Sequence, residues 1–207
     1  PDGRVWFSMG DRGFALETIE GEPIVGTDRG GVFRCWPDGT GLELVHEGLR
    51  NPQELAFDRF GNLFTGDNNC DSGDRARVTL VLDGADSGWR QDVQSLPSRG
   101  PWNREAMWHL VESPEDLVDP TRPAWLLPPI AHVGAGPSGF ALEPGTTEGG
   151  VHAGRMLLVD FYGSGATIHS FDMQPRGAWF ELTDRRDFFR GSTITDLAFG
   201  PDGRLYL

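Results

Sequence analysis

A hairpin signature recurs four times along this chain, and few folds accommodate such a repeat. It combines apolar strands with a tight turn that ends in glycine. The copies are PDGRVWFSMGD (1–11), LAFDRFGNLFTGD (55–67), FALEPG with GRMLLVDF (140–161) and LAFGPDGRLYL (197–207). The turn glycines Gly3, Gly61, Gly145 and Gly203 are separated by 58, 84 and 58 residues. Asp-Gly and Phe-Gly supply the positive φ that a tight hairpin needs. Further strand candidates lie between the copies: a hairpin in GGVFRCWPDGTGLELV (30–45), VTLVLDG (78–84) and TIHSFDMQPRGAWFELT (167–183).

Each interval therefore holds about four short strands, the content of one propeller blade. The predicted fold class is all-β, a β-propeller of four-stranded antiparallel blades, with about three blades in residues 1–207 as a single partial domain. Chance likeness of Asp-Gly hairpins in a β-sandwich is the alternative, and the regular spacing favours the propeller. The middle interval is longer by 26 residues. The excess falls in 91–131, a predicted insertion with short helices over 104–112 and 113–118, where Ser113-Pro114 followed by two acids makes a helix start. Opening on a hairpin turn and stopping within a strand pattern, the chain reads as a piece of a longer protein.

The net charge of −13 argues against nucleic acid as a partner. No apolar run reaches the length of a membrane span. Cys35 and Cys70 are too few to define a disulfide framework or a zinc site, and they read as free thiols with a bridge as the minority reading. No G-x-S-x-G, H-E-x-x-H, P-loop or C-x-x-C-H pattern occurs.

Chemistry-bearing residues concentrate in 48–90. Asp67, Asn69 and Asp71 place oxygen ligands at alternate positions ahead of Gly73, an arrangement suited to a hard cation such as calcium. Val78 stands where an EF-hand has its glutamate, and an Asx-rich turn explains the same residues. Arg50-Asn51-Pro52-Gln53 precedes a strand, and the proline fixes where Arg50 and Asn51 point. A guanidinium held so can take a carboxylate in bidentate fashion or bridge to a neighbouring blade's acid. Asp11 ends its strand as Asp67 does, either to orient a histidine base or to cap a turn. His132 and His109 are the histidines near candidate site loops, while His46, His152 and His169 read as ordinary strand or loop residues. Of seven tryptophans, Trp102, Trp108 and Trp125 in the insertion are the ligand candidates, and the others read as seals between blades.

GLRNPQELAFDRFGNLFTGD…GADSGWR resembles the pyrroloquinoline-quinone (PQQ) dependent glucose/sorbosone dehydrogenase family, as do PDGRVWFSMGDRG and GRMLLVDF…LAFGPDGRLYL. GGVFRCWPDGTGLELV, FGNLFTGDNN and GPSGFALEPG resemble a bacterial branch of membrane-bound dehydrogenases joined to a c-type haem domain. The resemblance implies about half of a six-bladed propeller, a periplasmic or otherwise extracytoplasmic location, and a sugar or polyol substrate. It implies PQQ contacts at Arg50, Asn51 and Gln53, calcium in the 67–71 loop, and a catalytic histidine upstream of Pro1 oriented by Asp11. Electrons would pass to a haem c in a domain outside this chain. The family's quinone-holding lysine has no counterpart in DFYGSG, and two of its arginines fall on Thr193 and Thr195. A non-catalytic propeller that binds a glycan or a protein partner is the rival reading.

Overall fold

The computed structural model describes residues 2–69, 75–91, 127–145 and 154–207. Sixteen strands form among these residues, and the hairpins of the repeat are among them. Strands β6 (Pro52–Phe57), β7 (Leu63–Asp67), β8 (Arg77–Val81) and β10 (Ala131–His132) make one antiparallel sheet in the order β10-β8-β7-β6. Strands β11 (Pro137–Leu142), β12 (Met156–Phe161), β13 (Ala166–Arg176) and β14 (Trp179–Gly191) make the next, each pairing with its neighbour in sequence. A short hairpin, β15 (Ala198–Phe199) with β16 (Leu205–Tyr206), follows.

These two four-stranded sheets share one register. Pro52 faces Asp67 and Pro137 faces Asp160, and each pairing is followed by a β-bulge before regular pairing resumes at Leu55 and Phe140. Gly61, Gly145 and Gly203 have φ of 88°, 73° and 76°, as their hairpin turns require.

Burial on both faces explains the unbroken apolar runs of the inner strands. Along β7, Phe64 packs into the core shared with Phe140, Met156, Leu158 and Phe171, whereas Leu63 turns the other way towards Val32, Val45 and Leu49. In β12, Met156 and Leu158 face back to the second sheet while Leu157 and Val159 face Ile194 and Leu197. Successive side chains point to opposite faces, so a strand sandwiched between two sheets is apolar on both, with polar residues such as Asp67 and Arg77 admitted where they pair.

The first sheet departs from the expected all-antiparallel meander. Its order is β1 (Val5–Met9), β4 (Gly30–Cys35), β5 (Glu43–Leu49) and β9 (Ala85–Asp86), and β9 runs parallel to β5. The chain thus leaves β8 of the second sheet, returns to the outer edge of the first and straps the two together. The strands β2 (Phe14–Glu17) and β3 (Pro23–Gly26) add a hairpin with no counterpart in the predicted pattern, anchored by Phe14, which stacks edge-on against Phe33 at 4.9 Å.

The predicted helices at 104–112 and 113–118 lie outside the described residues. The end of the predicted insertion, residues 127–131, is not helical. It runs beside β8, where Ile130 N–H donates to Val78 O at 2.8 Å, and it enters β10. Cys35 is a free, half-buried thiol, and Cys70 lies outside the described residues.

Candidate functional site

Arg50 and Asn51 occupy the connection from β5 to β6, and the residue that holds them is Asp67. The Asp67 carboxylate has no solvent exposure. Its Oδ1 accepts Arg50 N–H at 3.0 Å and Asn51 N–H at 2.8 Å, and its Oδ2 accepts Arg77 Nε–H and Nη2–H at 2.9 and 2.7 Å. Arg77 stands opposite Asp67 in the β7–β8 register. A buried carboxylate needs such compensation, and charge-assisted bonds to two amides and a guanidinium supply it. The D-x-N-x-D spacing left a metal ligand and a turn cap as alternatives here. In the geometry these oxygens close the Arg50-Asn51 turn and pair with Arg77.

Asp11 follows β1 and meets this turn from the neighbouring sheet. Its N–H donates to Arg50 O at 2.6 Å, and its Oδ2 accepts the Trp89 indole N–H at 2.9 Å. The Arg50 guanidinium carbon lies 5.9 Å from the centroid of the same indole, within cation–π range. Asp11 and Arg50 therefore share one aromatic plate. Burial pushes the Asp11 carboxyl above the usual aspartate value, and the Trp89 hydrogen bond and the Arg50 charge offset part of that rise.

Trp89 reaches this position through the strap. Ser87 N–H donates to Glu47 O at 3.0 Å and Trp89 N–H to Gly48 O at 2.9 Å, extending the parallel pairing of β9. Gly48 has φ 75°, and a Cβ there would collide with the Asp86 carboxylate and lie 2.6 Å from Gly88 N. No reading of the sequence placed Trp89 at the site. The available signal was the Gly-Trp pair that ends the 48–90 stretch.

The third sheet carries a second copy of the carboxylate clasp without the arginine. Asp160 Oδ1 accepts Ala135 N–H and Gly136 N–H, each at 2.9 Å, and the nearby ring is His169, with Nε2 3.8 Å from Asp160 Oδ2. Burial opposes the Asp160 charge, but His169 and the two amides outweigh it and hold the carboxyl below the usual range.

The remaining expected residues scatter. Gln53 is exposed on β6, and Asn69 ends the described segment after β7. Asp71, His109, His152, Trp102, Trp108 and Trp125 lie outside the described residues. His132 pairs with Arg77 across β8 and β10, and its Nδ1 is buried without a hydrogen bond. His46 Nε2 lies 2.8 Å from Ser87 Oγ, a spacing that suggests a nucleophile and its base. However, Nδ1 accepts Leu82 N–H at 3.2 Å, so Nε2 carries the proton and donates to the serine. That tautomer cannot act as a base towards Ser87. Among the described residues, no three His, Cys, Asp or Glu side chains converge on a cation site. Nor is any helix among them long and apolar enough to cross a membrane.

No family model and no curated protein matches the chain. Solved structures do match, two of them as follows. The chain is similar to the glucose dehydrogenase-type oxidoreductase of Thermus thermophilus, with TM-score 0.55 and 19% identity over 84% of this chain and 48% of that one. It is also similar to the PQQ-bound aldose sugar dehydrogenase of Streptomyces coelicolor, with TM-score 0.57 and 16% identity over 95% of this chain and 49% of that one. The chain has a β-propeller fold. It spans about half the length of either structure, and identities this low establish fold and not chemistry.

Proposed function

We propose that this propeller segment belongs to a sugar-oxidising dehydrogenase of the PQQ type and contributes the wall built from Asp11, Arg50, Asn51 and Trp89. The observation that carries the reading is the shared indole, with Asp11 hydrogen-bonded to its edge and Arg50 over its ring. A fold in common with two sugar dehydrogenases supports it.

The residues on this wall fit one flank of the quinone. Arg50 would hold a carboxylate, Asn51 a quinone oxygen, and Gln53 lies next along β6. PQQ, when bound, supplies the two-electron acceptor. Asp11, whose burial raises its proton affinity, orients a histidine base that takes the sugar hydroxyl proton. Trp89 fixes the Asp11 carboxylate and keeps water from its buried side. In the connection between β14 and β15, Thr193 and Thr195 are exposed and bring no charge. Charge compensation for the other carboxylates of the quinone is thus not met there. The calcium proposal keeps Asn69 and Asp71 as ligands and assigns Asp67 to the clasp. An extracytoplasmic location and a c-type haem domain as electron acceptor complete the reading.

Those two threonines favour a second reading, a propeller that binds a glycan or a protein without catalysis. Reconstituting the full-length protein with PQQ and calcium separates the two. The dehydrogenase reading expects quinone absorbance that co-purifies with the protein and aldose-dependent dye reduction. Neither signal, together with retained glycan or partner binding, would overturn it.

A further inference from the structure

The geometry points to Arg77 as the positioning residue that sets both halves of the candidate wall at once. Its consequence for catalysis rests on the dehydrogenase reading, while its structural consequence does not. The side chain is nine-tenths buried, and its guanidinium joins three separate segments. Nε and Nη2 hold Asp67, whose other bonds fix the Arg50 and Asn51 amides. Nη2 also reaches Gly48 O at 3.1 Å, two residues before Arg50. Nη1 donates to Ser87 O at 2.9 Å, two residues before Trp89. One planar fork therefore registers the anion-contact turn against the strap that delivers the Asp11-binding indole.

The third sheet provides an internal control. Asp160 clasps Ala135 and Gly136 with no arginine beside it, so the clasp by itself belongs to the scaffold. The link to a second segment is particular to Arg77. A lysine could neutralise Asp67, but its single ammonium lacks the fixed fork that spans Asp67, Gly48 and Ser87 together.

The test is hydrogen–deuterium exchange on the full-length protein, read in peptides covering 48–53, 85–90 and 134–137, for Arg77→Met, Arg77→Lys and Asp160→Ala. Arg77→Met is expected to speed exchange at least tenfold in both 48–53 and 85–90 while leaving 134–137 unchanged. Asp160→Ala is expected to do the reverse. Arg77→Lys is expected to restore 48–53 and leave 85–90 fast, and it decides the matter if the methionine variant does not fold. Acceleration confined to 48–53, an even rise across all three peptides, or a lysine variant indistinguishable from wild type at 85–90 overturns the assignment. Dye reduction is measured alongside. In an active protein, Arg77→Lys lowers kcat at least tenfold, and unchanged kcat and KM overturn the catalytic consequence. A wild type without activity overturns the dehydrogenase reading, while the exchange pattern still decides the role of Arg77.

Discussion

His46 has no solvent exposure, and burial, reinforced by the neighbouring Arg77 charge, drives its pKa from 6.5 to about 4. A base whose folded pKa is depressed binds its proton more readily in the unfolded chain. Stability therefore falls as pH drops from about 6.5 towards about 4. The full shift corresponds to about 3 kcal/mol. Replacing His46 with glutamine is expected to flatten that stretch of the stability–pH curve, measured by denaturant unfolding at several pH values. Asp11 behaves in the opposite sense. Its raised pKa means that ionisation is disfavoured in the folded state, so its contribution declines as pH rises through the range just above the ordinary aspartate value. Trp89→Phe removes the hydrogen bond that moderates this rise. The Asp11 carboxyl should then titrate at higher pH than in wild type, as followed by carboxyl NMR or infrared titration. Asp67 illustrates how far a single residue can be read in isolation. Acid-x-amide-x-acid spacing describes a cation loop and an ion-paired clasp equally well. The deciding partner, Arg77, lies ten residues on in the facing strand, and only the register of β7 with β8 brings the two together.

At the scale of the element, the turn glycines were readable because almost no other residue tolerates their backbone. The inner strands were readable because burial on two faces favours apolar residues at successive positions. The strap was not. β9 is two residues long and pairs in parallel with β5, a strand about forty residues earlier in the chain, so neither local periodicity nor a turn motif marks it. The β2–β3 hairpin escaped for a related reason, since its strands are four residues each and four of the eight positions are exposed. The strap depends on Gly48, where positive φ and the approach of Asp86 both exclude a side chain. Gly48→Ala is expected to cost roughly 2–4 kcal/mol. It should also loosen Trp89, visible in urea unfolding and as increased quenching of tryptophan fluorescence. Equal stability and quenching would contradict the strap's role.

Across the whole molecule, neighbouring sheets share large buried side chains. Phe64, Met156, Leu158 and Phe171 are each at most 1% exposed at the junction of the second and third sheets. Phe171→Ala should cost about 3–5 kcal/mol. It should also split a single thermal transition into two if the junction is what couples the sheets, which calorimetry can resolve. The propeller arrangement was legible from glycine spacing, since a stack of like sheets repeats its hairpins at intervals set by blade length. The chemistry was legible only in part. Its residues come from β1, the β5–β6 connection and the strap, which are close in space and far apart in sequence.

The strap also makes the two seams of this stack unequal under load. Separating the first sheet from the second requires breaking main-chain hydrogen bonds at Gly84, Ser87 and Trp89 as well as side-chain packing. Between the second and third sheets, the connecting segment 133–136 is tied to the third sheet by one such bond, from Phe161 N–H to Gly136 O at 2.8 Å. A pull applied along the chain should therefore peel the third sheet away first and leave the first two as a joined pair, with Asp11, Arg50 and Trp89 still in register.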